Sequence, residues 1–361
     1  MKILTVSTLK RRVAPDEFAS RSRIIFQLTK GLADKGHAVT LLGTGDSSVP
    51  GVEVIPIIPK AWIDLDPVEN EYLRQTATLM QLSRKIVELQ SNFDVIHNHT
   101  YPDFFPFIVE NEIQTPMITT LHAVYDYYID EILSQFPKTK TIALSDSYKN
   151  LMKQGKIFKT VYNGVDTSLF SFQKEKSDYL FWLGRLPKGR NKDGTFIDPK
   201  GVKTAIQLAQ KTGSKLYISG PVEDIEFYKK DVEPYLNEKI QFVGNPTREQ
   251  SVPFEEILKL YQGASAFLMT VNQEEPFGLV MAEAMSCGTP VIAFNKGAAP
   301  EIIKDGKTGF MVPYERGVDG LSEALEKIKT ISPEDCRQHI VETFSVEKMV
   351  ENYEKVYTEI T

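Results

Sequence analysis

Apolar positions follow two alternating patterns along the chain. Short runs rich in β-branched and aromatic residues, Lys2–Ser7, Ala38–Gly43, Asp94–His97 and Met117–Leu121, predict strands. Longer stretches with a 3.6-residue period, Ser20–Lys35 and Glu69–Gln90, predict helices, and Gly36 supplies a stop after the first. The pattern restarts at Tyr179–Leu183 and continues through Lys215–Ser219, Ile240–Val243, Ala266–Thr270 and Pro290–Phe294. Strands that alternate with helices imply parallel sheets with right-handed crossovers, the doubly wound α/β class. Ser168–Ser177 is polar and aperiodic and reads as a linker. The expected organisation is two Rossmann-like domains, about 1–170 and 175–340, with a helix over 341–361 crossing back to the first. No repeat of solenoid period is present. Ligands of open α/β sheets sit beyond the carboxyl ends of the strands. Two such domains facing each other are expected to place the active site in the cleft between them.

Composition narrows the function classes. Of 361 residues, 42% are hydrophobic and 25% charged, the proportions of a globular protein. A net charge of −6 argues against general nucleic-acid binding, which needs a basic face. Cys287 and Cys336 cannot make a disulfide framework, and no apolar stretch approaches the roughly 18 residues of a membrane span. The apolar run Ile3–Val6 precedes the basic cluster, the reverse of a signal peptide. The expected setting is cytoplasmic.

The most informative segment is Glu274–Phe294, EEPFGLVMAEAMSCGTPVIAF. Pro276 and Gly278 mark a turn, Leu279–Cys287 reads as a helix, and Gly288, Thr289 and Pro290 end it before a new strand. Were both Glu275 and Glu283 helical, they would lie about 12 Å apart along the axis. A retaining glycosidase holds its carboxylates about 5 Å apart. The two glutamates therefore suit opposite ends of one hydroxyl-rich ligand, with a helix N-terminus between them to attract an anion. That describes a nucleotide sugar.

On these residues the chain resembles the family 4 glycosyltransferases over nearly its whole length, which implies the GT-B fold and a retaining mechanism. The family's E-x7-E motif matches Glu275 and Glu283. The resemblance implies that Glu275 holds hydroxyls of the transferred sugar and Glu283 the ribose, while the backbone N–H groups of Phe277, Gly278 and Leu279 meet sugar and diphosphate. Phe181-Trp182-Leu183-Gly184-Arg185-Leu186 and Lys200-Gly201-Val202 match a second motif, whose Arg and Lys neutralise the diphosphate leaving group. Pro187–Pro199 is longer than the family spacing and Lys188-Gly189 competes with Lys200, but Val202–Leu208 carries the helical period that should follow the motif lysine. His122, after Thr119-Thr120-Leu121, matches a histidine that contacts the sugar. Ala143-Leu144-Ser145 and Val161–Asp166 match segments near the end of the N-terminal half. One departure is the first strand-to-helix loop, where Arg11–Phe18 replaces the Gly-Gly turn of many members.

Other chemistry-bearing patterns carry less. His97 and His99 share a strand face without a third ligand, Asp64-Leu65-Asp66 lies between prolines, and Glu301 stands where a phosphate loop ending in Gly306-Lys307-Thr308 would need its first glycine. Cys287 is expected to be buried and inert. The expected function is a metal-independent retaining hexosyltransferase, of EC 2.4.1 type, using a UDP-sugar, with GDP-mannose as the other donor considered. Catalytic roles fall to His122, Glu275, Arg185 and Lys200. A sugar-nucleotide 2-epimerase and a non-catalytic nucleotide-sugar-binding protein are the alternatives. Residues 1–36 carry a local charge of +5, and Arg11 and Arg12 are the candidates to receive an anionic acceptor, whether a small molecule, a glycan or a lipid-linked substrate at a membrane surface.

Overall fold

The computed structural model describes residues 1–247 and 252–361, and no helix among them is long and apolar enough to cross a membrane. The chain divides into two compact units, residues 1–164 with 346–361, and residues 165–345. In the first, the order is β1 (Lys2–Val6), α1 (Ser20–Asp34), β2 (Ala38–Thr44), β3 (Glu53–Ile58), α2 (Glu71–Leu89), β4 (Val95–Asn98), β5 (Met117–Thr120), α3 (Tyr127–Gln135), β6 (Lys140–Ala143), α4 (Asp146–Leu151) and β7 (Lys159–Thr160). The second contains β8 (Leu180–Leu183), α5 (Val202–Thr212), β9 (Leu216–Ser219), α6 (Ile225–Asp231), β10 (Ile240–Val243), α7 (Phe254–Gly263) and β11 (Ala266–Met269). It continues through α8 (Leu279–Ser286), β12 (Val291–Phe294), α9 (Ala299–Ile302), β13 (Gly309–Val312), α10 (Gly317–Lys327) and α11 (Pro333–Thr343). Helix α12 (Val346–Ile360) belongs to the first unit.

Each unit holds one parallel sheet, ordered β3-β2-β1-β4-β5-β6-β7 and β10-β9-β8-β11-β12-β13. Strand order reverses between β1 and β4 and between β8 and β11, the points where open α/β sheets bind ligands. Four strands, β3, β6, β7 and β13, lie outside the elements read from the periodicity. Pro56 interrupts β3, which is tolerated because β3 is an edge strand; β7 has only two residues, β6 opens on Lys140-Thr141 and β13 on Gly309, so none of the three presents a run of β-branched and aromatic residues. Helix α2 starts at Glu71 because the Asn70 side chain accepts the Leu73 N–H at 2.9 Å. It lays Leu79, Leu82 and Ile86 against Leu4, Val6, Leu42 and Ile96 of the sheet.

The stretch read as a linker, Ser168–Ser177, is packed into the second unit. Phe170 is buried there, and the Lys176 ammonium donates to the carbonyls of Gln262 and Cys287 and to the Thr289 hydroxyl, at 2.8–2.9 Å. Three acceptors, one at the end of α7 and two in the turn after α8, satisfy a half-buried cation whose polarity had suggested solvent. Burial brings its pKa down to about 8.

Helix α12 buries Met349, Val350, Tyr353, Val356 and Tyr357 along one face and packs on α1. Gly31 permits this approach, since a Cβ there would stand 2.6 Å from Val350 Cγ2. We expect Gly31→Ala to destabilise the protein by about 1–3 kcal/mol through overpacking, although alanine is the better helix former. Adding Val350→Ala should remove most of the steric part. Urea unfolding of the two single variants and the double variant measures this, and a stabilised Gly31→Ala would contradict the packing account.

Candidate active site

In the second unit, side-chain hydrogen bonds fix the loops at the carboxyl end of β8 and β11. The Trp182 indole donates to the Thr270 hydroxyl at 3.0 Å, and Thr270 donates in turn to the Gly201 carbonyl at 2.7 Å. Asn272 extends the tie: its side chain donates to the Asp198 carbonyl and its backbone N–H to Pro199. Asp198 accepts the N–H groups of Gly201 and Lys203, which caps the start of α5. Gly201 takes φ +75°, and a Cβ there would lie 1.9 Å from the Thr270 carbonyl oxygen, so no other residue fits the crossing.

This frame brings Lys200 to Glu275, with Nζ donating to Oε2 at 2.5 Å. Glu275 sits in the turn before α8, held from the other side by the Ala298 N–H on its carbonyl and by Gly297, whose N–H donates to Glu274. Lys188 lies in a separate turn, away from this contact. Its loop folds into a turn bridged at Arg190 and Phe196; Arg190 stacks on Phe196 and pairs with Asp224 and Glu226, and the insertion packs on α6. Arg185 follows Gly184 at the end of β8, is 64% exposed, and reaches Glu223 at 3.2 Å.

Gly278, at φ +83°, is the N-cap of α8; Phe277 before it is buried with its ring on Phe344, and Leu279 is the first helical residue. Glu283 lies one turn on, only 3% exposed, and accepts the Tyr261 hydroxyl at 2.8 Å. Glu275 and Glu283 thus have different partners and different environments. One is a solvent-reaching member of an ion pair, the other a buried acceptor.

In the first unit, His122 follows β5 and is half-buried. Its Nε2 meets His99 Nδ1 at 2.9 Å. His97, two residues before His99 on the same face, shares hydrogen bonds with the Tyr357 hydroxyl at 2.7 Å and the Thr120 hydroxyl at 2.8 Å, and Thr120 meets Tyr353 at 2.8 Å. Arg21 of α1 pairs with buried Asp103 at 2.8 Å, and Asp103 accepts the Ala123 N–H beside His122. Burial and the neighbouring Arg21 bring His99 down to about 3 and lower His122; burial, with His99 and His122 nearby, lowers His97. All three rings are neutral at pH 7.

A sequence profile for glycosyl transferases group 1 matches residues 194–343, and one for glycosyltransferase family 4 matches residues 22–169. The chain belongs to the family 4, group 1 glycosyltransferases. The enzyme is 22% identical to N-acetyl-alpha-D-glucosaminyl L-malate synthase of Bacillus anthracis, over 92% of each chain. Among solved structures it is similar to AviGT4, a glycosyltransferase involved in avilamycin A biosynthesis (TM-score 0.70, 20% identity, 99% of this chain and 97% of that one). It is also similar to Anabaena Alr3699/HepE in complex with UDP and glucose (TM-score 0.69, 17% identity, 99% and 100%). The fold of the glycosyltransferase is GT-B.

The basic cluster at residues 1–36 is largely compensated. Arg12 donates to Asp16 at 2.6 Å, Arg11 lies 3.9 Å from Glu17, Arg21 holds Asp103, Lys30 pairs with Asp34 and Lys35 with Glu354. The local charge excess does not translate into free guanidinium groups at Arg11 and Arg12. Lys10 makes no ion pair among the described residues; it lies over the Tyr101 ring at 5.9 Å, beside a groove of about 380 Å³ lined by Trp62, Ile63, Leu65, Arg74 and Tyr101. Among the described residues no three His, Cys, Asp or Glu side chains are grouped to hold a metal. Asp64-Leu65-Asp66 is in and just after a short helical turn, Thr308 accepts the Lys304 N–H in a turn, and Cys287 is buried with its thiol pushed up to about 12.

The buried histidines make stability depend on pH. Their folded pKa values are lowered, so below pH 6.5, and down to about 3 for His99, the unfolded chain binds protons that the folded unit does not. Their contribution is complete above pH 6.5 and is lost as pH falls below it, at up to about 1.4 kcal/mol per pH unit for each ring. Around them stand Arg21 from α1, Asp103 after β4, Tyr148 from α4, and Tyr353 and Tyr357 from α12. Unfolding free energies from pH 7 to 5 should fall steeply in the wild type and less so in His99→Asn. A flat wild-type profile would contradict the neutral, buried assignment.

Proposed function

We propose that the enzyme is a retaining hexosyltransferase that takes its sugar from a UDP-sugar and passes it to a hydroxyl acceptor without a metal ion. The observation that carries this reading is the Lys200–Glu275 contact at 2.5 Å. A cation beside a carboxylate supplies a diphosphate-binding group next to a hydroxyl-binding group, the pairing demanded on the two sides of a glycosyl–phosphate bond. Arg185, exposed at the end of the neighbouring strand, adds positive charge where the leaving phosphate gains negative charge. Glu275, neutralised by Lys200, serves as a hydrogen-bond acceptor for sugar hydroxyls rather than as a nucleophile. This supports same-face attack with the departing phosphate taking the acceptor proton. Phe277, Gly278 and Leu279 present the start of α8 to the donor, Glu283 is assigned to the ribose, and His122 to a sugar hydroxyl.

UDP is favoured because solved relatives of this fold are complexes with UDP and UDP-glucose. For the acceptor we favour an anionic hydroxyl compound. One relative is named an N-acetyl-alpha-D-glucosaminyl L-malate synthase, and Lys10, past the carboxyl end of β1, makes no ion pair among the described residues. Arg11 and Arg12 would join it only by leaving Glu17 and Asp16.

Incubation with UDP-, GDP- and ADP-sugars, scored by nucleoside diphosphate release, tests the donor assignment; release from none of them in the presence of anionic hydroxyl acceptors would refute transfer. Activity is expected to survive EDTA, and its loss with restoration by manganese would return Asp64 and Asp66 to consideration. Arg185→Ala should lower kcat/KM by about 100-fold or more, the effect of losing one preorganised donor to developing charge. Glu275→Ala should act mainly on kcat and Glu283→Ala on the donor KM. Equal effects on both parameters in both variants would remove the division of roles.

A further inference from the structure

The two histidines in contact at the end of the first sheet constrain each other's protons. His99 Nδ1 and His122 Nε2 are 2.9 Å apart, and both rings are neutral, so one nitrogen donates and the other accepts. The remaining nitrogen of His99, Nε2, is buried with no partner. If His122 donated, His99 would carry its proton on that enclosed nitrogen, as an orphaned N–H close to the Arg21 cation. If His99 donates, the enclosed nitrogen keeps a lone pair, which the nearby positive charge favours. Orphaned buried donors are the rarer and more costly arrangement. Arg21 is itself fixed by Asp103, so its charge stays where it biases the pair. Among the described residues nothing bonds His122 Nδ1, and that atom is not one of the enclosed polar atoms. It is the His122 nitrogen left unbonded and not sealed from solvent.

We propose that His99 is a positioning residue that fixes His122 as the Nδ1–H tautomer, so that His122 meets a substrate oxygen as a hydrogen-bond donor and cannot take a proton from it. His97 braces the arrangement: its ring centroid is 3.8 Å from that of His99, and its own nitrogens are held by Tyr357 and Thr120. With Nδ1 protonated and Nε2 occupied, His122 has no lone pair to offer a hydroxyl proton. The inference rests on the reading that His122 touches a substrate hydroxyl, but the tautomer is a property of the free protein and is measured without substrate.

The test is a long-range proton–nitrogen correlation spectrum of histidine-labelled enzyme at pH 7, with His122 assigned from the signals lost in His122→Asn. A protonated, pyrrole-type Nδ1 and a pyridine-type Nε2 at His122 are expected; the opposite pattern overturns the proposal whether or not any sugar donor is found. Turnover supplies a second readout. His99→Leu, which has no donor, should lower kcat/KM by about tenfold. His99→Asn, which carries an N–H near the place of Nδ1, should recover most of that loss at a similar melting temperature. A His99→Asn enzyme no better than His99→Leu at equal stability overturns the positioning role. Should His99→Leu fail to fold, the wild-type spectrum still decides the tautomer. Absence of turnover with every donor would count against the transferase reading and leave the tautomer result standing.

Discussion

The Thr270 hydroxyl is the point on which the second unit's site depends. It receives the Trp182 indole N–H from β8 and donates to the carbonyl at the start of α5, so that a single oxygen ties two strands and a helix together. These strands are the ones between which the strand order reverses. The cations of the site follow β8 and precede α5, and the carboxylate follows β11. Without the tie, the ion pair between Lys200 and Glu275 would rest on two loops whose ordering entropy nothing offsets. With it, the flanking groups converge on backbone already satisfied by Asp198 and Asn272. A buried hydroxyl holding both a donor and an acceptor is costly to replace, because either partner would be left unsatisfied in the interior.

The elements legible in the sequence were those whose signal is local. The helix of Leu279–Ser286 follows from the Gly278 turn and ends at Gly288, and the start of α5 follows from Gly201 and the period after it. Lys200 was preferred to Lys188 on that period; the residues between them form their own turn, braced by Arg190 against α6. Partners distant in sequence were not legible. Tyr261 and Glu283 are 22 residues apart, and His97 and Tyr357 are 260 apart; nothing in spacing or period joins them. Lys176 misled for a related reason, since carbonyl and hydroxyl acceptors from the end of α7 and the turn after α8, about 86–113 residues away in sequence, make an interior place for a charged side chain. The Arg12–Asp16 pair is the opposite case, a local pairing overshadowed by counting charge over a longer window.

The candidate site residues of the two units use different electrostatics. The second unit keeps its charges paired and reaching solvent, ready to exchange partners with an anion. The first unit suppresses charge: burial keeps three imidazoles neutral, Arg21 adds to this at His99 and His122, and Asp103 balances that cation. Neutral rings in contact can only be ordered through hydrogen-bond direction. Proton placement, and not net charge, is therefore what this part of the protein controls.

The placement of α12 has a consequence for biosynthesis. Tyr353 and Tyr357, which close the hydrogen-bond network around His97, are translated only after the whole of residues 165–345. At about 5–20 residues per second, the first unit waits roughly 10–40 s on the ribosome for its last helix. During that interval the α1 face around Gly31 and the polar groups of β4 and β5 lack their cover, while the second unit is itself still being translated. A nascent chain of this enzyme thus completes its second unit before its first, and the interval of exposure is written into the order of the gene.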